Sequence, residues 1–133
     1  MTGRIPSDPQ PTAETQPFWD AAREGRFLVK RCRACTKAHW YPRTHCPFCA
    51  SADTEWTEAS GGGTIYSYSV MRRAEPVYVM AYVTLDEGPT MMTNLVDCDP
   101  DALAVGARVR IVYKPSTGGF AMPMFSPVPE VRS

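Results

Sequence analysis

Cys32-x-x-Cys35 and Cys46-x-x-Cys49 set two pairs of thiols ten residues apart. At that spacing two short knuckles fold toward each other and offer four thiolates to one tetrahedral ion, with zinc–sulfur bonds of about 2.3 Å. Four protein ligands leave no position open for water, so the chemistry is that of a structural staple and not of Lewis-acid catalysis. One zinc per chain is the expected cofactor. The segment around Cys32–Glu58 has too little apolar surface to fold unaided, and a structural zinc contributes about 10–16 kcal/mol to modules of that size. Iron in a rubredoxin-like site is the competing cofactor. Rubredoxin knuckles place glycine after the second cysteine, where this chain has Thr36 and Ala50, and that weighs against a redox role. His39 and His45 read as residues beside the site, not as ligands.

The remaining candidates for chemistry do not combine into a catalytic set. Both histidines fall in the metal region, so the second half has none to activate a nucleophile. Cys98 is flanked by Asp97 and Asp99, which raise a thiol pKa, and it reads as a small, half-buried side chain. Asp86/Glu87 and Asp99/Asp101 fall in a turn and at a helix start, where capping accounts for them. Gly61-Gly62-Gly63 lacks the lysine of a phosphate loop and reads as a flexible joint. The sequence predicts no catalytic residue and no activity of its own.

The elements that must position these residues follow from periodicity. Residues 1–15, rich in Pro, Thr and Gln, read as a disordered arm. Phe18, Trp19 and Ala22 recur at helical spacing after Pro17, and Gly25 ends that helix. Phe27–Arg31, His39–Tyr41 and Thr54–Ala59 read as short strands around the knuckles, so the helix and metal ribbon are assigned to 16–60. Beyond the glycines, five strands are expected: Thr64–Met71, Val77–Leu85, Thr90–Val96, Arg108–Tyr113 and Phe120–Phe125. Asp99-Pro100-Asp101-Ala102-Leu103 supplies a capped helical turn between the third and fourth. Three strands, a helical turn and two strands is the order of a small OB barrel, assigned to 61–126, with a tail at 127–133. An open five-stranded sandwich has the same periodicity. The fold class is therefore mostly β: an N-terminal helix and rubredoxin-like ribbon, then a five-stranded barrel.

Composition bounds the partners. The 133 residues are 44% hydrophobic and 21% charged, with 14 basic and 14 acidic residues and zero net charge, a profile for a soluble globular chain and against life on phosphate backbones. Seven basic residues (Arg23, Arg26, Lys30, Arg31, Arg33, Lys37 and Arg43) crowd into 23–43 with one acid, Glu24. They form either a solvated rim around a thiolate site or an anion-binding surface. No apolar run is long enough for a membrane span or a secretory signal. Paired Cys-x-x-Cys motifs without such a signal place the chain in a reducing cytoplasm. In the barrel half, Arg72 and Arg73 border the expected ligand face, with Tyr66, Tyr68, Tyr78 and Tyr82 on the first two strands. Six of seven methionines also lie there, as core filler or as adaptable contact surface.

The helix motif Pro17-Phe18-Trp19, the four cysteines, Gly63-x-Ile65-Tyr66-Ser67-Tyr68 and Thr93-Asn94-Leu95-Val96-x-Cys98-Asp99-Pro100 together resemble acyl-CoA-associated OB-fold proteins with an N-terminal rubredoxin-like zinc ribbon. The resemblance runs from about Pro17 to Phe125. It implies a non-catalytic accessory subunit that docks on a thiolase-fold enzyme, a thiolase or thiolase-like aldolase, in steroid, aromatic or fatty-acid degradation. Acyl-CoA would lie at the shared interface. Arg72 and Arg73 would meet phosphate, since arginine forks match phosphate oxygens, and Tyr78 and Tyr82 would belong to the binding surface. The stretch Arg72–Pro76 is short for a first-to-second strand loop of that family. A single-stranded nucleic-acid module is the alternative, because ribbons and OB barrels both serve that role.

Overall fold

The computed structural model describes residues 5–128; Met1–Arg4 and the end of the expected tail, 129–133, lie outside the described residues. Helix α1, Gln16–Arg23, starts with Pro17 in its first turn and buries Phe18, Trp19, Ala21 and Ala22. Its exit is the left-handed Gly25 at φ 80°, and the Arg26 amide donates back to the Ala21 carbonyl at 2.9 Å. The chain then enters β1 (Leu28–Cys32), which pairs antiparallel with β2 (Ala38–His39) on one side and β3 (Thr54–Glu58) on the other. The strand expected over His39–Tyr41 shrinks to two residues, because the chain turns away after His39 into an irregular stretch.

The second half is a closed five-stranded barrel in the order β4-β5-β6-β8-β7. Its strands are β4 (Gly62–Met71), β5 (Tyr78–Leu85), β6 (Thr90–Leu95), β7 (Arg108–Pro115) and β8 (Ala121–Pro127). Closure comes from a parallel contact, Leu95 opposite Phe125, and from β4 against β7. A 3-10 turn, Pro100–Ala102, fills the expected helical position, with the Asp99 carboxylate accepting from the Asp101 amide at 3.0 Å. This is the OB topology, and the sandwich alternative falls away. Along β5 the alternation is clean: Val79, Ala81, Val83 and Leu85 are buried, while Tyr82 faces out.

One expectation needs correction. Gly61–Gly63 is not a flexible joint. Gly61 is buried at φ 86°, and a Cβ there would sit 2.6 Å from Ile111 Cγ2. A Cβ on Gly63 would lie 2.7 Å from Val83 Cγ1 and 2.9 Å from the Thr84 carbonyl. These glycines are small because β4 enters the barrel against its neighbours. The turn acids also do more than cap: Asp86 makes a two-pronged pair with Arg108 at 2.7 and 2.9 Å, and Glu87 accepts from the Ser60 amide at 2.9 Å.

The ribbon and barrel share one core. Phe18, Trp19, Phe27 and Val29 join Ile65, Val83, Leu85, Leu95, Val109 and Phe125 in a single buried cluster. Phe27 meets Phe125 edge-on at 6.4 Å, and Trp19 meets Phe120 at 6.3 Å. The Tyr113 hydroxyl, whose pKa burial raises, donates to the Arg26 carbonyl at 3.0 Å.

Candidate metal centre and binding surfaces

Each cysteine pair sits on its own knuckle. In the first, the Thr36 amide returns to the Cys32 carbonyl at 2.9 Å and the Cys35 amide points at Cys32 Sγ at 3.4 Å. In the second, the Ala50 amide returns to the Cys46 carbonyl at 2.8 Å and the Phe48 amide points at Cys46 Sγ at 3.4 Å. Thr36 and Ala50 both adopt left-handed φ, 67° and 65°. The knuckle thus keeps the glycine conformation with side chains that pay a steric cost for it, about 1–2 kcal/mol each.

The four sulfurs lie within 4.8 Å of one another, with Cys32–Cys49 at 3.5 Å and Cys35–Cys46 at 3.6 Å. Cys32 and Cys46 are buried, and Cys49 is exposed at the outer corner. The Cys35 amide draws Cys32 down to about 7, against burial. Cys49 moves the other way, to about 12: the Ser51 amide favours its thiolate, but the Cys32 sulfur, burial and the remaining sulfurs oppose it. Two thiolates 4 Å apart repel by about 4 kcal/mol at an effective dielectric of 20. A tetrathiolate at these distances therefore needs a cation at its centre, and four sulfurs in a closed cluster fit a tetrahedral metal ion. A group with this donor set supplies cross-linking, with every position taken by protein.

Much of the basic stretch is spoken for. Arg33 pairs with Asp53 at 3.0 Å and Glu55 at 3.1 Å, and Arg26 pairs with Glu24 at 2.8 Å and Glu58 at 3.8 Å. Lys30 lies over the Trp56 ring and Lys37 over Phe48, at 4.6 and 5.2 Å from the ring centroids. Among the described residues, Arg23, Arg31 and Arg43 have no ion pair. His45 is exposed. His39 is 2% exposed, and neither ring nitrogen has a hydrogen-bond partner. Burial holds its pKa below the ordinary imidazole value. The Arg43 carbonyl, outside hydrogen-bond geometry, opposes that shift, and the Lys30 and Arg43 charges reinforce it.

The surface candidates divide. Arg72 is exposed but held by Asp101 at 2.8 Å, and Arg73 is exposed beside it. Tyr78, half-buried, opposes Met71 next to that turn. Tyr82 lies farther along β5, beside Met92 on β6, with Tyr66 in the β4 bulge nearby. Tyr66, Tyr82 and Met92 are 67%, 48% and 57% exposed, an apolar row across three strands. Tyr68 turns inward and donates to the Leu103 carbonyl at 2.9 Å. The Cys98 thiol is half-buried, and burial, then Asp97 and Asp99, hold it protonated. Sequence reasoning missed a cleft beside Cys98 and the Asp8 side chain that holds the arm near it, since neither leaves a periodic signal. No helix among the described residues is long and apolar enough to cross a membrane.

Residues 19–55 match the rubredoxin-like zinc ribbon domain of ChsH2, and residues 56–114 match the C-terminal OB-fold domain of ChsH2. A DUF35 domain-containing scaffold protein of Methanocaldococcus jannaschii is 32% identical over 72% of this chain and 74% of its own. A probable enoyl-CoA hydratase alpha subunit of Thermomonospora curvata is 37% identical over 87% of this chain. The chain spans 39% of that relative's length. The 3-oxo-4,17-pregnadiene-20-carboxyl-CoA hydratase alpha subunit of Mycobacterium tuberculosis, 27% identical, is likewise matched over 39% of its length. Among solved structures, the Ltp2-ChsH2(DUF35) aldolase aligns at TM-score 0.78 and 33% identity, covering 90% of this chain and 98% of that one. A DUF35 protein of Sulfolobus solfataricus, at TM-score 0.66 and 12% identity, shares the fold.

Proposed function

The chain belongs to the DUF35 family, with a ChsH2-type zinc ribbon ahead of a ChsH2-type OB barrel, and on that footing we propose that it is a non-catalytic accessory subunit of an enzyme acting on acyl-CoA. The observation that carries this reading is the match to a chain of the Ltp2-ChsH2(DUF35) aldolase over 98% of that chain's length, beside the ChsH2 domain matches over residues 19–114. Relatives named as scaffold proteins and as alpha subunits of CoA-ester hydratases support the same role. The partner is a thiolase-fold enzyme, a thiolase or thiolase-like aldolase, acting in steroid, aromatic or fatty-acid breakdown in the cytoplasm. The exposed row of Tyr66, Tyr82 and Met92 suits a docking face, since aromatic and methionine side chains are enriched at interfaces. Arg73 and Tyr78 extend that surface toward the β4–β5 turn, where Arg72 would exchange Asp101 for a phosphate or a partner carboxylate.

The ion in the four-cysteine cluster is zinc. Cys32, Cys35, Cys46 and Cys49 hold it, the two knuckle amides steady the sulfurs, and its chemistry is to cross-link the ribbon beside the barrel.

Co-expression with a thiolase-fold protein of the same organism tests the assignment. A stable complex should elute in size-exclusion chromatography, with about one zinc per copy of this chain and no visible absorbance from iron. Failure to associate with any thiolase-fold protein of the host contradicts the reading.

A further inference from the structure

A cleft of about 730 Å³ opens where β5 begins and β6 ends, with Val77, Val79, Leu95, Val96 and Met124 among its walls. Small-molecule sites are mostly apolar clefts of about 300–1,000 Å³, and this one falls in that range. It lies on a part of the barrel separate from the four cysteines.

The charges at its lip narrow the ligand class. Asp97, Cys98 and Asp99 form one edge and Lys114 another. Lys114 Nζ is engaged by Asp97 Oδ2 at 2.7 Å, while Asp99 faces only a backbone amide. Among the described residues, the lip therefore carries surplus negative charge and no unpaired cation. A phosphate or carboxylate placed there meets repulsion, whereas a neutral apolar group loses nothing.

The remaining wall is the amino-terminal arm, through Ile5 and Pro6. That arm is fastened to the turn between β7 and β8. Asp8 Oδ1 accepts from Ser116 Oγ and the Gly118 amide, both at 2.6 Å, and from Thr117 Oγ1 at 3.3 Å. The Thr117 amide donates to the Pro6 carbonyl at 3.0 Å. Gly118 has no Cβ to collide with the Asp8 carboxylate; adding one would bring the two into contact.

We propose that this cleft binds an uncharged, mainly apolar small molecule, and that the arm, latched by Asp8 to the β7–β8 turn, forms one wall of the site. The site is independent of the accessory-subunit reading, because it lies wholly within this chain.

The test uses the full metal-loaded chain and two naphthyl dyes. N-phenyl-1-naphthylamine is neutral, and 8-anilinonaphthalene-1-sulfonate is the same framework with a fixed negative charge. The neutral dye should bind one saturable site at least about tenfold more tightly than the sulfonate, a difference of about 1.4 kcal/mol. Val77→Trp fills the cleft from the half-buried position just ahead of β5 and should abolish the fluorescence gain. Gly118→Ala alters no lining residue, dislodges Asp8, and should weaken the neutral dye several-fold. Cys98 alkylation by N-ethylmaleimide, with the metal-bound thiols protected, should slow when dye is bound and quicken in Gly118→Ala. Equal affinity for the two dyes, no saturation, or unchanged binding in Val77→Trp overturns the site. Identical binding and alkylation in wild type and Gly118→Ala overturns the latch. Should Val77→Trp fail to fold, dye protection of Cys98 in the wild type decides the site alone.

Discussion

Ala50 occupies a backbone position that suits glycine, and its left-handed φ of 65° has no side-chain compensation. Thr36, its counterpart, at least donates to the Cys35 carbonyl at 2.6 Å. Ala50→Gly should therefore raise the unfolding free energy of the metal-loaded protein by about 0.5–1 kcal/mol, measured by denaturant titration, the strain relieved exceeding the added chain entropy. The opposite sign is expected at the ligands. Cys46→Ser should lose bound metal, seen by elemental analysis, and remove the ribbon's share of the thermal transition. His39 predicts a pH effect that can be separated from the metal. Its folded pKa lies below the ordinary imidazole value of about 6.5, so the unfolded chain binds the extra proton first. The stability tied to neutral His39 is thus complete above pH 6.5 and is lost as pH falls through that value toward the folded pKa. Glu14 lies near Lys30, and Lys30 and Arg43 both disfavour the imidazolium. His39→Leu should flatten the fall in melting temperature between pH 7 and 5 relative to wild type, with both proteins sharing the thiolate contribution.

At the scale of elements, legibility followed how local the signal was. The cysteine spacing, the Pro17 start and Gly25 stop of α1, and the alternation along β5 are short-range patterns, and each recurs in the structure. The Asp99 cap survived as a 3-10 turn, because Asp99-Pro100-Asp101 encodes its own hydrogen bond. What failed depended on residues far apart in sequence. Gly61–Gly63 reads as a joint until Ile111 and Val83 close over it. The pairing of Arg108 with Asp86 joins residues of two separate strands' ends and leaves no mark in either one's local pattern. Asp8 sits in a proline-rich stretch with no periodicity, yet it bonds residues more than a hundred positions away. Gly63→Ala tests the corrected reading. A packed strand entry should lose about 1–3 kcal/mol to overpacking, whereas a free hinge would gain slightly from the stiffer unfolded chain.

For the whole molecule, the shared core explains how an ion in the ribbon can act on the barrel's surface. Phe18 and Phe27 tie the ribbon to Phe125 and the barrel, so the ion that holds the ribbon also fixes how the barrel's outer face is presented. A rigid, presented face is what an accessory subunit offers its enzyme. The most direct measurement is acyl-CoA turnover by the proposed thiolase-fold partner as this chain is titrated in. The account predicts no turnover by the chain alone and a rate that rises and saturates at a fixed molar ratio. Thioester turnover by the isolated chain, or a partner rate indifferent to its addition, would contradict it.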